Sequence, residues 1–316
     1  MEESFVDLLH SLTNEKVDKV RLTALSDLDQ GRFGSFVGTW EHLPPDRRQA
    51  LLEQLGLLAD AQVELNFESI NRFALDDSEP TVRQQAIENL WESEDPGLAR
   101  SFLHLLNDDP SNAVRGTAGK ALRAFVFIAE TRKLEPGIRR EMEEALLLAA
   151  RVDSSGEVRD LCLRSLGYSS RPEVPELIKE AYAAQSESRI AAALCAMARS
   201  ANPDWGESVI ARLHDGFPII RLEAVRAAGD IELRESVSDL IDLLEDIDDP
   251  VRRAAMWSLG QIGGPKASDA LNSLAEKDLD ENEQEILNDA IDNLVFLEGA
   301  LDLSNLDQDN PQDLLA

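Results

Sequence analysis

The feature that most constrains the fold is a short pattern that recurs along the whole chain. In "VRRAAMWSLG" an arginine, Arg252, is followed by a small residue at the third position and a leucine at the seventh. With an apolar or small residue at the seventh position, the pattern recurs at Arg21, Arg48, Arg83, Arg115, Arg159, Arg189 and Arg221, and in a ninth copy Leu287 takes the arginine position. Successive copies lie 27 to 44 residues apart. A period of about 31 residues with one insertion predicts a repeat array.

Each copy has the pattern of two helices joined by a short turn. The stretch "SVSDLIDLLEDI" places apolar residues at helical spacing, and an Asp/Pro turn then leads into the arginine-bearing helix. In that second helix Val251, Ala255 and Leu259 form one apolar stripe. Sustained period-2 alternation, the signal for strands, is absent from the sequence. Because one such unit cannot bury its stripe alone, the sequence predicts an all-α fold, an α-solenoid of about nine helix-turn-helix repeats.

The repeats resemble HEAT repeats, and among them the short HEAT-like repeats of phycobilisome lyases. The resemblance depends on an aspartate six residues before the arginine. The pairs are Asp77 with Arg83, Asp109 with Arg115, Asp153 with Arg159, Asp215 with Arg221, and Asp246 with Arg252. Repeats two and six depart from it, with His42 and Ala183 in the aspartate position. The resemblance implies that these side chains form a hydrogen-bonded ladder within and between repeats. If the pairs are exposed, each contributes about 0 to 1 kcal/mol and sets register more than stability.

Two segments interrupt the period and define the expected domains. We expect the solenoid to cover residues 1–298, with an insertion near 125–145 where Pro136 and Gly137 separate two long helical patterns. Residues 299–316 are predicted to be an acidic, flexible tail, since the chain from Asp278 onward carries 12 acids and no lysine or arginine. The leucines of this tail could instead dock in a groove of the protein itself.

Charge narrows the class of partner. The chain has 31 lysines and arginines against 61 aspartates and glutamates, a net charge of -30. This charge repels phosphate and anionic lipid, so we expect neither nucleic acid nor membrane as a partner. Solubility, or adaptation to a salty cytoplasm, would also account for the acidity. The start of the chain does not resemble a secretory leader and no apolar run is long enough to span a bilayer, so a cytoplasmic location is expected.

Residues able to support catalysis are scattered. The four histidines fall in different repeats, and the two cysteines do not form a Cys-x-x-Cys pair. The sequence has neither a phosphate-binding glycine loop nor a nucleophile elbow. Gly167, Gly229 and Gly260 are interpreted as helix ends. We therefore expect no enzymatic activity, no metal site and no cofactor.

The arginine-bearing helices suggest one binding surface. If the valine stripe faces the core, positions two, six and nine after the valine point to the inner, concave face. In repeats four to eight these positions hold five cations and one acid, Asp160. The alternative is that chance or a rotated helix produced the pattern. The predicted partner-binding residues are Trp91, Lys120, Arg123, Arg164, Leu194, Arg226, Arg253 and Trp257.

The function predicted on this basis is a non-enzymatic scaffold or adaptor that binds another protein or peptide on the concave face. A lyase-like or chaperone subunit that handles a chromophore or a partner protein is the alternative, as in the shorter HEAT-like relatives. A purely structural array is the third possibility.

Overall fold

The structure, a computed structural model, describes residues 5–14, 18–132 and 134–308, with Asn14 and residues 297–308 described by their backbone alone. Within these ranges the chain is helical and contains no strand. The α-helices are α1 (Phe5–Asn14), α2 (Lys19–Leu22), α3 (Gln30–Trp40), α4 (Pro45–Ala61), α5 (Glu68–Ala74), α6 (Pro80–Asn89), α7 (Pro96–Asp108), α8 (Asn112–Thr131) and α9 (Pro136–Val152). They continue with α10 (Gly156–Leu166), α11 (Glu173–Tyr182), α12 (Glu187–Arg199), α13 (Gly206–Ile210), α14 (Pro218–Asp230), α15 (Val237–Asp242), α16 (Asp249–Ile262), α17 (Pro265–Leu274) and α18 (Glu281–Gln308).

The helices alternate in nine pairs, from α1 with α2 to α17 with α18, which confirms the predicted all-α repeat fold. We call the first helix of each pair A and the second B, so that the even-numbered helices are the B helices. Short 3-10 turns extend several of them, as at residues 23–25, 234–236 and 243–245. Proline stands in the first turn of many helices, among them α4, α6, α7, α14 and α17. It fits there because the first N–H groups of a helix have no partner inside the helix.

The chain forms two compact units, Met1–Ser165 and Leu166–Ala316. Inside the first unit, α4 contacts α6 and α6 contacts α8. Inside the second unit, α12, α14, α16 and α18 contact one another in that order. The predicted stripe of Val251, Ala255 and Leu259 is wholly buried. At about 25 cal/mol per Å² of apolar surface, burial of such stripes is the main source of stability.

Two glycines that the sequence suggested as helix ends lie inside helices. Gly229 belongs to α14 and Gly260 to α16. A Cβ at Gly260 would lie 2.8 Å from Cα of Ala290 on α18, and a Cβ at Gly229 would lie 2.9 Å from Cα of Ser258 on α16. The helix-end interpretation is therefore wrong for both. Each glycine is needed because the next B helix approaches too closely for a side chain.

The two interruptions of the period take defined forms. The insertion lengthens α8 and α9 to 20 and 17 residues, on either side of the turn before Pro136. Residues 299–308, which the sequence assigned to a flexible tail, continue α18. Gly299 does not end the helix, because a single glycine costs a helix only about 1 kcal/mol. The remainder of the predicted tail, 309–316, lies outside the described residues.

The close approach of α18 to Gly260 predicts that a side chain at this position lowers stability. Gly260→Ala should lower the free energy of unfolding by about 1 to 3 kcal/mol, because the new methyl group would overlap backbone of α18. Gly38→Ala is the matched control, since a Cβ at Gly38 in α3 would meet nothing within 4 Å. That variant should be neutral or more stable, by up to about 1 kcal/mol, through helix propensity alone. Urea unfolding followed by circular dichroism measures both, and equal effects of the two changes would contradict the account.

Candidate functional site

Arginine side chains join consecutive repeats. Arg83 donates from Nε and Nη2 to the two carboxylate oxygens of Asp109 in the next repeat, at 2.7 and 2.9 Å. Arg115 binds Asp153 in the same two-pronged way, at 2.9 and 3.0 Å. In the second unit Arg221 binds Asp246, with both distances 2.8 Å. Bidentate geometry of this kind is the strongest form of arginine–carboxylate pairing.

The same arginines also hold the turn of their own repeat. Nη1 of Arg83 donates to the backbone carbonyl of Asp77 at 2.7 Å, and Nη1 of Arg115 donates to that of Asp109 at 3.0 Å. Each aspartate carboxylate in turn accepts the backbone N–H two residues further along, for example that of Ser111 on Asp109. Each guanidinium therefore connects one turn, through its carbonyl, with the next turn, through its carboxylate.

The ladder is less exposed than the sequence-based expectation assumed. The side chains of Arg83 and Asp109 are 10% and 3% exposed. Burial removes the screening that makes surface ion pairs weak, so the figure of about 0 to 1 kcal/mol does not apply to this pair. The physical reason for the error is that a sequence pattern gives spacing but not depth.

Some ladder positions have partners that the sequence did not indicate. Arg252 donates to Glu283 at 2.8 Å, and Glu283 lies in the first turn of α18 rather than at an aspartate position. Asp77 accepts from Arg48 at 2.7 Å and from the indole of buried Trp40 at 2.8 Å. The sequence could have indicated Glu283 as a ladder carboxylate. It lies four residues before Leu287, the residue at the arginine position of the ninth repeat, and therefore close to the turn where the aspartates of other repeats lie.

Two of the predicted ladder residues are placed differently. The carboxylate of Asp215 accepts from Arg212 of its own repeat at 2.9 Å. Arg159 donates to the carbonyl of Asp153 at 2.5 Å. The following repeat carries Ala183 at the aspartate position, so the sequence supplies no carboxylate there.

Hydrogen bonding in the ladder shifts the acid–base behaviour of its members. The bond from Arg115 lowers the pKa of Asp153, against the opposing effect of burial. The same contact raises the pKa of Arg115. At Asp246 burial is the largest influence and would raise the pKa, but the hydrogen bonds from Arg221 and from the N–H of Asp248 together lower it. The carboxylates of Asp153 and Asp246 are therefore held in the charged form.

Three of the predicted binding residues meet in one groove of the first unit. The Trp91 groove has a volume of about 380 Å³ and lies between the end of α6 and the middle of α8. It is lined by Ile87, Glu88, Trp91, Thr117, Lys120, Ala121, Arg123 and Ala124. Trp91 is 52% exposed. Neither Lys120 nor Arg123 forms an ion pair with any residue that the structure describes.

The groove exists because the two B helices that form it differ in length. Helix α6 has 10 residues and α8 has 20, so α8 is about 15 Å longer. Trp91 lies just after the end of α6, eight residues beyond Arg83. In repeats seven and eight the corresponding residues are Gly229 and Gly260, over which the next helix packs. A tryptophan at this position leaves part of α8 uncovered by the shorter helix.

The second unit carries another exposed tryptophan next to cations. Trp257 on α16 is 37% exposed, and its ring lies against Gly229 of α14, where a Cβ would come within 2.7 Å of Cζ3. Arg253, one turn earlier, makes no ion pair within the described part of the chain. Nη1 of Arg226 lies 3.9 Å from Oε1 of Glu223, whose side chain is mostly buried. This surface therefore has fewer available cations than the Trp91 groove.

Acidic residues beside Arg226 reduce the predicted excess of positive charge. Glu223 and Asp230 lie on the same helix, at positions that the two-six-nine rule leaves out. Burial raises the pKa of Asp230, and the nearby charge of Arg199 opposes that shift. The predicted excess of five cations over one acid is therefore overstated for this part of the surface.

Leu194 is not a surface residue. It is wholly buried in α12, where every residue from Ile190 to Ala198 is buried. The prediction that Leu194 contacts a partner is wrong, because this alanine-rich helix packs closely against α11 and α14 and leaves no apolar face open. Arg164 lies on α10 and is half-buried.

Two features are absent from the described residues. No group of three or more histidine, cysteine, aspartate or glutamate side chains comes together there in a way that could hold a metal ion. None of the described helices has the length and apolar character required to cross a membrane.

In the described part of the chain the helices form nine pairs, and arginines join the turns of several consecutive pairs. This arrangement defines an α-helical repeat protein of the solenoid class. Residues 206–291 match the sequence model of HEAT repeats. These residues are similar to HEAT repeats, and the ladder shows the same plan in the first unit as in the matched segment.

The chain is similar in fold to yeast importin-β, and two further solved structures match it with lower TM-scores. Yeast importin-β (Kap95p) matches with a TM-score of 0.50 and 13% identity, over 92% of this chain and 46% of that one. The chain therefore spans about half the length of importin-β. The CpcE–CpcF complex of phycocyanin lyase from Nostoc sp. PCC7120 has a TM-score of 0.49 and 16% identity, over 72% and 94%. Human deoxyhypusine hydroxylase has a TM-score of 0.37 and 18% identity, over 92% and 96%. No curated protein sequence matches the chain.

The buried ladder predicts a large effect of removing one partner. Arg83→Leu should lower the free energy of unfolding by about 3 to 5 kcal/mol, because Asp109 is left buried without its cation. Arg132→Gln removes an exposed pair with Glu94 and should cost less than about 1 kcal/mol. The double variant Arg83→Leu, Asp109→Asn should recover part of the loss. Chemical denaturation measures the stability of all three variants. If the Arg83 variant is as stable as the Arg132 variant, the Arg83–Asp109 pair does not stabilise the fold.

The lowered pKa of Asp153 predicts a dependence on pH. Its unfolded value is about 3.9 and its folded value is lower, so the pair stabilises the fold above about pH 4 and this contribution is lost as the pH falls further. The difference in unfolding free energy between the parent and Asp153→Asn should be largest near neutral pH and shrink below about pH 4. Denaturation at pH 7, 5, 4 and 3 measures it. A difference that stays constant across this range would contradict the assignment.

Proposed function

We propose that the protein is a non-enzymatic scaffold that binds a segment of another protein in the Trp91 groove, and that this segment carries acidic and apolar side chains. The observation that carries the proposal is the combination found there: a half-exposed tryptophan beside two cations that have no ion-pair partner among the described residues, on a chain of net charge -30. A solenoid of this fold, Kap95, forms a complex with another protein, Nup1.

The chemistry of the groove suits a protein segment. Trp91 offers a large, rigid apolar surface that loses little conformational entropy when a ligand covers it. Lys120 and Arg123 can donate to carboxylates, and arginine does so in bidentate fashion. Tryptophan and arginine are also the residues most often found to dominate the binding free energy of protein interfaces.

The groove is built on two helices, so its side chains are held in place before a partner arrives. Ile87 is wholly buried under the groove, and Ala121 and Ala124 of α8 are half-buried between the two cations. A preformed surface loses little entropy on binding, which favours affinity for a flexible segment. The Trp257 surface of the second unit offers a smaller version of the same chemistry.

Peptide binding tests the proposal. A fluorescently labelled eight-residue peptide with two glutamates and two leucines should bind the full chain. Trp91→Ala and the double variant Lys120→Gln, Arg123→Gln should each weaken binding by about tenfold, because one removes the apolar contact and the other the cations.

The matched control is Arg234→Gln with Lys266→Gln, which removes two exposed cations outside the groove and changes the net charge equally. Fluorescence anisotropy measures affinity, and thermal unfolding checks that each variant is folded. If the groove variants bind the peptide as well as this control does, the groove is not the binding site.

A further inference from the structure

Trp91 separates two cavities of opposite charge. On one side lies the Trp91 groove with Lys120 and Arg123. On the other side lies a second cavity of about 300 Å³, which we call the acidic pocket, between α4, α5 and the turn after α6. Four carboxylates line it, those of Asp60, Glu68, Glu88 and Glu92. Both Trp91 and Glu88 line the two cavities, so the cavities adjoin at these two residues.

Most of this negative charge is available to a ligand. Glu68 is paired with Arg72 at 2.6 Å, and Glu88 accepts a hydrogen bond from Gln84 at 3.2 Å. Asp60 and Glu92 are exposed and have no ion-pair partner among the residues described. The pocket thus offers two or three carboxylates without a cation.

The polar groups in the pocket wall already have partners. The amide of Asn89 donates to the carbonyl of Leu52 at 2.8 Å and to Oδ1 of Asn71 at 2.9 Å. Gln85 donates to Oδ1 of Asn89 at 3.0 Å. Because these amides bind one another, the wall is rigid. Selection among ligands therefore depends on the charge of the carboxylates more than on hydrogen bonds to the wall.

We propose that this site recognises a segment that carries both an acidic and a basic side chain, with the acid in the Trp91 groove, the base in the acidic pocket and an apolar residue on the indole between them. This inference rests on the proposed function and specifies its ligand. An extended chain rises about 3.3 Å per residue, so an acid and a base three residues apart span about 10 Å, enough to cross an aromatic ring.

Long-range charge favours the same ligand. A purely acidic segment is repelled by a chain of net charge -30 and, once bound, places its carboxylates beside those of the acidic pocket. A segment with one acid and one base has no net charge to repel, and each of its charged groups meets the opposite sign. The base should therefore strengthen binding even though the groove itself is cationic.

Three sets of labelled peptides test the inference against the full chain. All have leucine in the centre. The first carries Glu and Arg three residues apart, made in both orders, the second has Gln in place of Arg, and the third has Gln in place of Glu. Affinities are measured in about 0.5 M salt, which screens the long-range attraction of the acidic chain for the cationic third peptide. We expect the better order of the first set to bind about fivefold more tightly than the second, and the third to bind most weakly. If Glu with Gln binds as tightly as Glu with Arg, the inference is wrong and the proposed function stands. If neither glutamate peptide binds better than the peptide without glutamate, the proposed function fails as well.

A double variant separates the two cavities. Asp60→Asn with Glu92→Gln should abolish the preference for the arginine-containing peptide while leaving the binding of the Glu and Gln peptide unchanged or tighter. The control is Glu41→Gln with Asp76→Asn, two exposed acids of the same unit outside both cavities. It should keep the fivefold preference. A preference that survives in the Asp60 and Glu92 variant would overturn the assignment of the base to the acidic pocket.

Discussion

Four ladder arginines, Arg83, Arg115, Arg221 and Arg252, each join a carbonyl in one turn to a carboxylate in the next repeat, and the stacking of those repeats depends on this contact. Nη1 of Arg83 donates to the carbonyl of Asp77, while Nε and Nη2 donate to the carboxylate of Asp109. A single planar guanidinium therefore sets the distance and register between the two turns. A hydrocarbon stripe alone would let neighbouring helices slide or rotate, because dispersion and apolar burial are not directional. The hydrogen bonds are directional, and burial makes a wrong pairing costly.

Once the register is set, the B helices approach one another closely, and small residues become necessary at the contact. Gly229 and Gly260 show this directly, since a Cβ at either would overlap the next helix. The same close approach explains why a large residue at the position of these glycines changes the packing of the B helices. Where the third repeat carries Trp91 at that position, the helix ends early, the longer α8 is left partly uncovered, and a groove opens. The proposed binding surface therefore lies where the packing of the B helices is interrupted.

Electrostatics decides what such a groove can hold. The chain is acidic, yet the cations of its ladder are satisfied internally, whereas Lys120 and Arg123 are not paired among the described residues. Cations without partners beside an exposed tryptophan favour an anionic and apolar ligand. The neighbouring carboxylates of the acidic pocket favour a base at a fixed distance from that anion. Opposite charges on the two sides of one indole give a basis for specificity that neither cavity provides alone.

The sequence by itself determined the class of fold, the number of repeats and most residues of the ladder, because the period of the arginine pattern and the 3.6-residue spacing of apolar positions are local properties of the chain. It also placed Trp91, Lys120 and Arg123 on one predicted surface, since Trp91 and Arg123 occupy equivalent positions in consecutive repeats and Lys120 lies one turn before Arg123. Only the tertiary structure decided that Asp109, Asp153 and Asp246 accept from the arginine of the preceding repeat, that Glu283 binds Arg252, that Leu194 is buried and that Gly229 and Gly260 lie inside helices. These features depend on the depth of a side chain and on the distance between helices that are about 30 residues apart in the chain. Spacing along a chain gives neither quantity, because both arise only when the repeats stack.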